Sequence, residues 1–264
     1  MEILNFYTGA KLFDILYDDL GIVKYEENKF AIKTVYKMNP MQTTMILLGK
    51  IAEAVIVRRC NEDKEINKKW LSIARRKKAK GKTAERFRAV GTGLKITKDL
   101  YPYLYNPFDT QRDVIWVDEE GMKAMINSFS ISGLEAGLQV KVSRNGMGYF
   151  FDDLCNLRYE VPVVYFDINH GYDDVARQLL LKQCSLELPK SNIILEENFV
   201  RASAIDVKGY EEVCFYEDMV MALINEKMRI EDLLVHKDVA GNPTFQNSLI
   251  TATLTQMPIE NIIL

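Results

Sequence analysis

Histidine and cysteine are scarce in this chain of 264 residues, and their scarcity limits the kinds of site it can hold. There are two histidines, His170 and His236, and four widely separated cysteines with no Cys-x-x-Cys pair. This supply argues against a zinc centre, and no nucleophile motif accompanies the histidines to suggest a Ser-His-Asp or Cys-His site. Dispersed cysteines are typical of reduced thiols, so we expect a cytoplasmic protein.

Long hydrophobic runs and targeting signals are also missing. No segment reaches the roughly 20 uninterrupted apolar residues of a membrane helix. The first residues, Met-Glu-Ile-Leu-Asn, show no basic region followed by an apolar one, so we expect neither a secretory signal nor a membrane partner. Apolar residues make up 48% of the chain and charged residues 27%, which is ordinary for a globular protein of one large or two small domains.

Positive charge is concentrated in one part of the chain, although the net charge is only −3. Arg58–Arg88 contains 13 Lys or Arg and 4 Asp or Glu, whereas residues 185–264 contain 6 basic and 13 acidic side chains. Such a cluster is typical of a surface that contacts a polyanion, although basic residues also commonly do no more than solvate a helix. We predict nucleic-acid contact through Arg58, Arg59, Lys68, Lys69, Arg75, Arg76, Lys77, Lys78, Lys80, Lys82, Arg86 and Arg88.

Apolar periodicity predicts a chain in which helices and strands alternate. Helices are expected at 8–20, 40–60, 62–80, 83–90, 119–129, 172–184 and 216–235. Strands are expected at 29–36, 113–118, 137–143 and 159–167, with turns at 133–137 and 144–148. This order predicts a mixed α/β layer between Ile51 and Cys184.

Four polar side chains on three of these elements suggest a catalytic site. In 137–143 polar and apolar residues alternate, so Gln139 and Lys141 should project from one face of a strand. Asp113 opens an unbroken apolar run typical of a strand buried on both faces, and Glu53 lies in an otherwise almost wholly apolar helix. Carboxylates, an amide and an ammonium group at one sheet edge would suit metal-dependent cleavage of a phosphodiester.

This set resembles the active site of the PD-(D/E)XK, or restriction-endonuclease-like, nucleases. In that superfamily a helical Glu precedes an Asp that opens a strand and a Glu-x-Lys in the next strand. Glu53 in Leu-Gly-Lys-Ile-Ala-Glu-Ala, then Asp113, then Gln139-Val-Lys141 follow that order. Gln139 stands where Glu is commonest, and the Gln-x-Lys variant is similar to that of Mrr-type restriction enzymes. The match covers about half of the chain.

The resemblance implies an α/β fold with a restriction-endonuclease-like mixed central sheet flanked by helices, and with additional, mainly helical segments at both ends. Residues 1–40 would then form an N-terminal helical or extended segment, and residues 41–184 a nuclease-like core with a basic helical insertion at 61–90. Residues 185–264 would form an acidic segment, to which the resemblance assigns no role. We expect this segment to mediate homo-oligomerisation or contact with a partner.

The resemblance also implies an activity, namely a Mg²⁺- or Mn²⁺-dependent endonuclease that acts on DNA, of the restriction, phage or mobile-element type. Glu53, Asp113 and the backbone carbonyl of Val140 would bind the metal, and the neutral oxygen of Gln139 is a weaker ligand that shifts the metal towards Glu53. Lys141 would orient the attacking water or stabilise the charge that develops on the phosphate.

Other interpretations stay open on the sequence alone. Glu53 could be a lone polar residue at the rim of its helix, Asp113 a turn cap, and the Gln139 and Lys141 pair the solvent face of an edge strand. Glu135 is a competing acidic ligand if the strand begins earlier. The same fold could also carry a catalytically inactive nucleic-acid-binding or inhibitor protein, with Gln139 marking a lost site.

Overall fold

The computed structural model describes residues 9–26, 29–33, 39–127, 132–185, 198–234, 236–237 and 243–244. The chain divides into two compact units, one formed by Met1–Thr44 with Tyr216–Leu264 and the other by Met45–Phe215. The second unit contains all the residues of the predicted site, so its fold decides whether they meet.

Helices and strands alternate along the described residues. The α-helices, in chain order, are α1 (Pro40–Glu62), α2 (Lys64–Ala74), α3 (Gly81–Arg86), α4 (Lys95–Leu100), α5 (Gly146–Tyr149), α6 (Phe151–Cys155), α7 (Tyr172–Cys184), α8 (Ala202–Ile205) and α9 (Val207–Ile224). The strands are β1 (Val23–Glu26), β2 (Lys29–Ile32), β3 (Arg88–Gly91), β4 (Val114–Val117), β5 (Met125–Asn127), β6 (Ser132–Glu135), β7 (Gly137–Ser143), β8 (Val163–Asp167), β9 (Phe199–Arg201), β10 (His236–Lys237) and β11 (Pro243–Thr244). A π-helical turn lies at Ile15–Asp19 and a 3₁₀ helix at Ile230–Leu234.

A mixed five-stranded sheet forms the centre of the second unit, in the order β3-β4-β7-β8-β9. Strands β3, β4 and β7 pair antiparallel, whereas β7, β8 and β9 pair parallel. Every residue of β4 and of β8 is buried, which confirms the prediction that the two apolar runs are strands covered on both faces. The predicted α/β class and mixed central sheet are therefore confirmed.

Helices cover both faces of this sheet. On one face, Trp116 Nε1 donates to the side-chain oxygen of Asn67 on α2 over 2.7 Å, and Asn67 in turn donates to the carbonyls of Ala84 and Phe87. On the opposite face, buried residues of β8 and β9 share one apolar cluster with residues of α6 and α7 and with the residue that joins α5 to α6. The cluster comprises Phe150, Phe151, Leu154, Cys155, Val163, Tyr165, Val175, Leu179 and Phe199.

The outer edge of the sheet at β3 is closed by a side chain. Asn61, close to the end of α1, donates its amide to the Ala89 carbonyl over 3.0 Å and accepts from the Ala89 N–H over 3.1 Å. These two bonds are the pair that a neighbouring strand would make at that residue. The side chain therefore takes the place of one residue of a sixth strand.

The first unit is built on a short hairpin and a cluster of rings. Strand β1 pairs antiparallel with β2, with Val23 opposite Ile32. The ring of Phe30 lies edge-on to the Phe13 ring at 5.0 Å between centroids. The preceding helical segment ends at Gly21, whose φ of +60° suits glycine and confirms the predicted stop.

The predicted helix at 119–129 is wrong in its described part. Gly121 turns the chain with a φ of +79°, and residues 125–127 form β5. Ala124 and Ile126 are buried, whereas Met125 is 41% exposed, so the apolar period here is two and not 3.6. Residues 128 and 129 lie outside the described residues.

Several other element boundaries differ from the predictions. The helix expected at 62–80 is shorter, since α2 ends at Ala74. It begins after Asp63 because that side chain accepts from the N–H groups of Glu65 and Ile66 over 2.8 and 3.2 Å. The stretch expected to be helical at 83–90 ends in strand β3, and the expected turn at 133–137 contains most of β6. The helix expected at 216–235 is only partly correct, because α9 starts earlier and ends at Ile224, a separate 3₁₀ helix follows at Ile230–Leu234, and residue 235 lies outside the described residues. The predicted helix at 172–184 is confirmed as α7.

One described helix, α1, is long and apolar enough to cross a membrane by length and composition. About 56% of its most apolar window is buried inside the protein, as in the core helix of a soluble protein.

Candidate active site

Asp113 lies immediately before β4 and is held by the neighbouring strand. Its backbone N–H donates to the Leu138 carbonyl over 2.8 Å, which extends the pairing of β4 with β7. Its Oδ2 accepts from the Val140 N–H over 2.7 Å and from the side-chain amide of Gln139. No described residue donates to Oδ1, and the residue is only 9% exposed. Strand β7 therefore fixes the orientation of the Asp113 carboxylate, and Oδ1 receives no hydrogen bond from the described residues.

Gln139 is buried and only half satisfied. It is 5% exposed, and its Nε2 donates to Asp113, while its Oε1 has no hydrogen-bond partner among the described residues. A buried carbonyl oxygen without a partner is costly. The unpartnered oxygen belongs to the same amide that contacts the carboxylate of Asp113, so the cluster contains an unused hydrogen-bond acceptor.

Lys141 lies two residues further along β7 and therefore on the same face of the sheet as Gln139. Its Nζ is 5.0 Å from the centre of the Tyr159 ring and 6.0 Å from that of Tyr149. Burial lowers the pKa of Lys141, and the negative charges of Asp113 and Asp153 partly offset this effect. The ammonium group is thus half-buried between two rings and close to carboxylates.

Glu53 projects from α1 into the same cluster and is only 4% exposed. Both of its carboxylate oxygens accept from Lys50 Nζ, over 2.8 and 3.1 Å. The Lys50 side chain is 40% exposed, so it reaches the buried acid from the protein surface. The helix spacing of three residues places the two side chains one above the other.

The two carboxylates perturb each other because they share one poorly solvated region. Burial, and next the charge of Asp113, raise the pKa of Glu53 from 4.5 to about 8, against the opposing effects of Lys50 and Lys141. Burial also raises the pKa of Asp113, although the Val140 N–H and both lysines favour its charged form. A pair of acids whose pKa values rise in this way is a common property of functional sites.

The structure thus brings together all four residues singled out in the sequence, and adds others that the sequence analysis missed. Lys50 is the first, and its position three residues before Glu53 on a helix was the available signal. The second group surrounds Lys141, where Tyr159 donates to Asp153 over 2.8 Å and Asp153 pairs with Arg158 over 3.0 Å. No local sequence pattern links Asp153, Arg158 and Tyr159 to Lys141, because these residues come close to the lysine only in the folded protein.

Glu135 lies apart from this cluster. It ends β6, is followed by the start of β7 at Gly137, and pairs with Lys123 over 2.7 Å. The strand therefore does not begin early enough for Glu135 to replace Gln139. Within the described ranges there is also no group of three or more His, Cys, Asp or Glu side chains arranged to hold a metal.

Several predicted nucleic-acid contacts are engaged within the protein. Arg59 forms an ion pair with Asp206, and Arg86 pairs with Asp118 over 2.6 Å. Arg76 donates to the Glu160 carbonyl over 3.0 Å and to the Asn198 side chain over 2.6 Å. Three further basic side chains also have hydrogen-bond partners within the protein, namely Arg75, Arg88 and Lys68. These residues support the fold in addition to any role at a surface.

Five of the predicted basic residues are exposed lysines with no charged or hydrogen-bonding side-chain partner among the described residues: Lys69, Lys77, Lys78, Lys80 and Lys82. Four of them follow the end of α2 within six residues of one another. They are the part of the basic cluster that remains available to a polyanion.

A groove of about 470 Å³ lies elsewhere in this unit, between the edge strand β3 and the helices α2, α3 and α4. Its lining includes Asn61, Asn67 and Tyr101 but none of the four residues of the candidate site. Asn67 is already saturated by its three partners. The candidate chemistry is therefore on the sheet and outside this groove.

Comparison of the chain with protein-family models, curated proteins and solved structures finds no match. The functional argument therefore depends on the geometry of the cluster formed by Glu53, Asp113, Gln139 and Lys141.

Proposed function

We propose that this protein is a metal-dependent nuclease that hydrolyses phosphodiester bonds in DNA. The observation that carries the proposal is the convergence of Glu53, Asp113, Gln139 and Lys141, which are separated by up to 88 positions in the chain, in one buried cluster. Two acids and an amide oxygen can bind a divalent cation, and a lysine can stabilise charge on a phosphate, so this set suits metal-dependent cleavage of a phosphodiester.

The order of the elements supports a restriction-endonuclease-like core. Helix α1 carries the acid, Asp113 opens β4, and Gln139-Val-Lys141 lies in β7, the strand paired with β4. Strand β8 then runs parallel to β7 after a crossover that contains α5 and α6. This is the order of site residues that the resemblance implies, with the hairpin of β5 and β6 inserted between the two site strands.

The donor set fits a hard cation such as Mg²⁺ or Mn²⁺, which prefers oxygen ligands. Asp113, Glu53 and the unpartnered Oε1 of Gln139 offer side-chain oxygens. The Val140 carbonyl is a fourth, because the Val140 N–H already points to Asp113 and both groups of a strand residue point to the same side. When bound, the cation would polarise the phosphate and lower the pKa of a water molecule.

Lys141 and Lys50 supply positive charge in the same cluster. Lys141 would contact the phosphate and stabilise the charge that grows on its oxygens, which is worth more in a poorly solvated site than in water. Lys50 favours the charged form of Glu53, against the larger opposing effect of burial. It must release at least one carboxylate oxygen if Glu53 is to bind the cation.

The exposed lysines after α2 would bind the DNA backbone. Lys77, Lys78, Lys80 and Lys82 are all exposed, and contacts of this kind are independent of sequence and sensitive to salt. The four cysteines form no disulfide, which supports a cytoplasmic setting for such an enzyme.

The test is cleavage of plasmid DNA with Mg²⁺ or Mn²⁺ by the wild type and by Asp113→Asn and Lys141→Met. Both variants should lose at least about a hundredfold in rate, while their circular dichroism shows that they remain folded. Asp152→Ala, a change of an exposed acid on α6, is the matched control and should cut at the wild-type rate. Equal cutting by all four proteins, or by none of them with either metal, would reject the proposal.

A second candidate is a nucleic-acid-binding protein on this fold that no longer cuts. The observation in its favour is that both carboxylates already have hydrogen-bond partners without a metal ion. Lys50 donates to both oxygens of Glu53, and Gln139 donates to Asp113. Calorimetry with Mn²⁺ separates the two candidates. Stoichiometric uptake that disappears in Asp113→Asn favours the nuclease, and salt-sensitive DNA binding without metal uptake favours the binding protein.

A further inference from the structure

An exposed aromatic ring stands at the border of the candidate site. Tyr149, the last residue of α5, is 60% exposed. Its ring centre is 6.0 Å from Lys141 Nζ. Partial burial of the hydroxyl, and next the negative charges of Asp113 and Asp153, raise the pKa of Tyr149, so the ring lies within the electrostatic reach of the site.

The turn that carries this ring is firmly seated. Asn145 caps it by accepting from the Gly148 N–H over 3.0 Å. A Cβ at Gly146 would lie 2.9 Å from a methyl group of Val175 and 3.0 Å from the Tyr165 hydroxyl, so the backbone is pressed against the core. A ring held in this way loses little conformational freedom when it binds a ligand.

Phe150, the next residue, packs against the ring of Tyr149 and supports it. Phe150 is 1% exposed, and its ring lies edge-on to that of Tyr149 with 5.9 Å between centroids. Phe150 also contacts Tyr165 on β8 at 4.8 Å. The exposed ring is thus the outermost member of a row of aromatic contacts that starts on the central sheet.

Lys141 lies close both to this exposed ring and to a second, more buried one. The Tyr159 ring lies 5.0 Å from Lys141 Nζ, and its hydroxyl is used by Asp153. An incoming nucleic-acid strand would therefore meet a positive charge and an open aromatic face side by side. The phosphate suits the ammonium group, and a base suits the ring.

We propose that Tyr149 stacks on an unpaired nucleobase next to the phosphate held by Lys141, so that the substrate is single-stranded DNA or a duplex with locally unpaired nucleotides. This inference rests on the proposed nuclease function and names its substrate class. In an intact duplex both faces of a base are covered by its neighbours, so a protein ring can stack only on a base that is unpaired, terminal or flipped out.

The experiment compares three oligonucleotides of one sequence, namely a single strand, a full duplex and a duplex with a single-stranded flap, in Mn²⁺. The wild type should cut the single strand or the flap at least about tenfold faster than the duplex. Tyr149→Ala should lose this preference by a factor of about ten, and Tyr149→Phe, which retains the ring, should stay within about twofold of the wild type.

Tyr103→Ala is the matched control, because Tyr103 is a tyrosine of similar exposure, 69%, in another part of the same unit. It packs at Gly121, which follows the far end of β4 from Asp113. This variant should retain the wild-type preference. A Tyr149→Ala protein that keeps the wild-type preference, with cleavage intact, overturns the stacking proposal and leaves the nuclease standing.

A binding measurement keeps the two proposals apart. Single-stranded oligonucleotides containing 2-aminopurine should be quenched by the full-length Asp113→Asn protein, and the quenching should be lost on the further change Tyr149→Ala. If no protein cuts any substrate but this quenching is seen and depends on Tyr149, the nuclease proposal fails and the stacking surface survives. If the quenching is absent or does not depend on Tyr149, the stacking proposal is wrong.

Discussion

Replacing Glu53 by Gln should stabilise the protein at alkaline pH and leave its stability almost unchanged at pH 5. The acid is buried beside Asp113, and its pKa rises from 4.5 to about 8. Each pKa unit corresponds to about 1.4 kcal/mol, so ionising Glu53 costs about 5 kcal/mol more in the folded protein than in the unfolded chain.

The direction of the pH effect follows from this difference. Below pH 4.5 the acid is protonated in both states and makes no contribution to the pH dependence. Between 4.5 and about 8 the unfolded chain releases the proton while the folded protein keeps it, so the free energy of unfolding falls as pH rises. The loss is about 3 kcal/mol at pH 7 and about 5 kcal/mol above pH 8.

The assay is urea denaturation in EDTA at intervals from pH 5 to pH 9 for the wild type and Glu53→Gln. Because Gln resembles the protonated acid in shape and charge, the two curves should meet near pH 5 and separate progressively up to pH 9. Glu120→Gln, a change of an exposed acid, is the control and should follow the wild type. Parallel curves for the wild type and Glu53→Gln would refute the reasoning about the buried acid pair.

Three further outcomes are expected. Lys50→Met removes the cation that occupies both oxygens of Glu53, so Mn²⁺ should bind about tenfold more tightly by calorimetry; unchanged or weaker binding would contradict this. Asn67→Ala leaves two carbonyls and the indole of Trp116 unpaired in the core, and should lower the free energy of unfolding by about 3 kcal/mol in urea, whereas a loss below about 1 kcal/mol would show that water replaces the amide. Four exposed lysines, Lys77, Lys78, Lys80 and Lys82, can be replaced together by Gln. This change should reduce the slope of log K for DNA binding against log salt concentration by about three, measured by fluorescence anisotropy. An unchanged slope would show that the DNA binds elsewhere.

The strands of the candidate site were predictable because their side-chain patterns are strong. The apolar runs at β4 and β8 have one physical explanation, burial of both faces. The alternation from Gly137 to Ser143 indicated a strand, but it did not indicate that Gln139 and Ser143 on the polar face are buried as well. The position of Asp113 before its strand followed directly from that run. Patterns of this kind depend on neighbours in the sequence, which is why they can be read without the fold.

The failures have a different origin. At 119–129 the apolar residues fit a helix as well as a strand, and the extended form is held by contacts distant in sequence, such as the bond from the Ala124 N–H to the Trp116 carbonyl on β4. Tyr159 reaches the site through its contact with Lys141 on another element, which only the fold establishes, whereas the spacing of Lys50 and Glu53 on one helix was readable and was missed. The ion pair of Arg59 with Asp206 spans 147 positions, so no local rule indicated that this arginine is engaged.

The amide of Asn61 has a consequence for the behaviour of the chain in concentrated solution. An open strand edge is a template on which a second molecule can add its own strand, and such addition starts fibres. Here the template is interrupted at Ala89, the second residue of the four in β3. A strand from a second molecule would have to displace the Asn61 amide, which already bonds both the N–H and the carbonyl of Ala89. A single residue therefore protects this edge of the sheet against self-association.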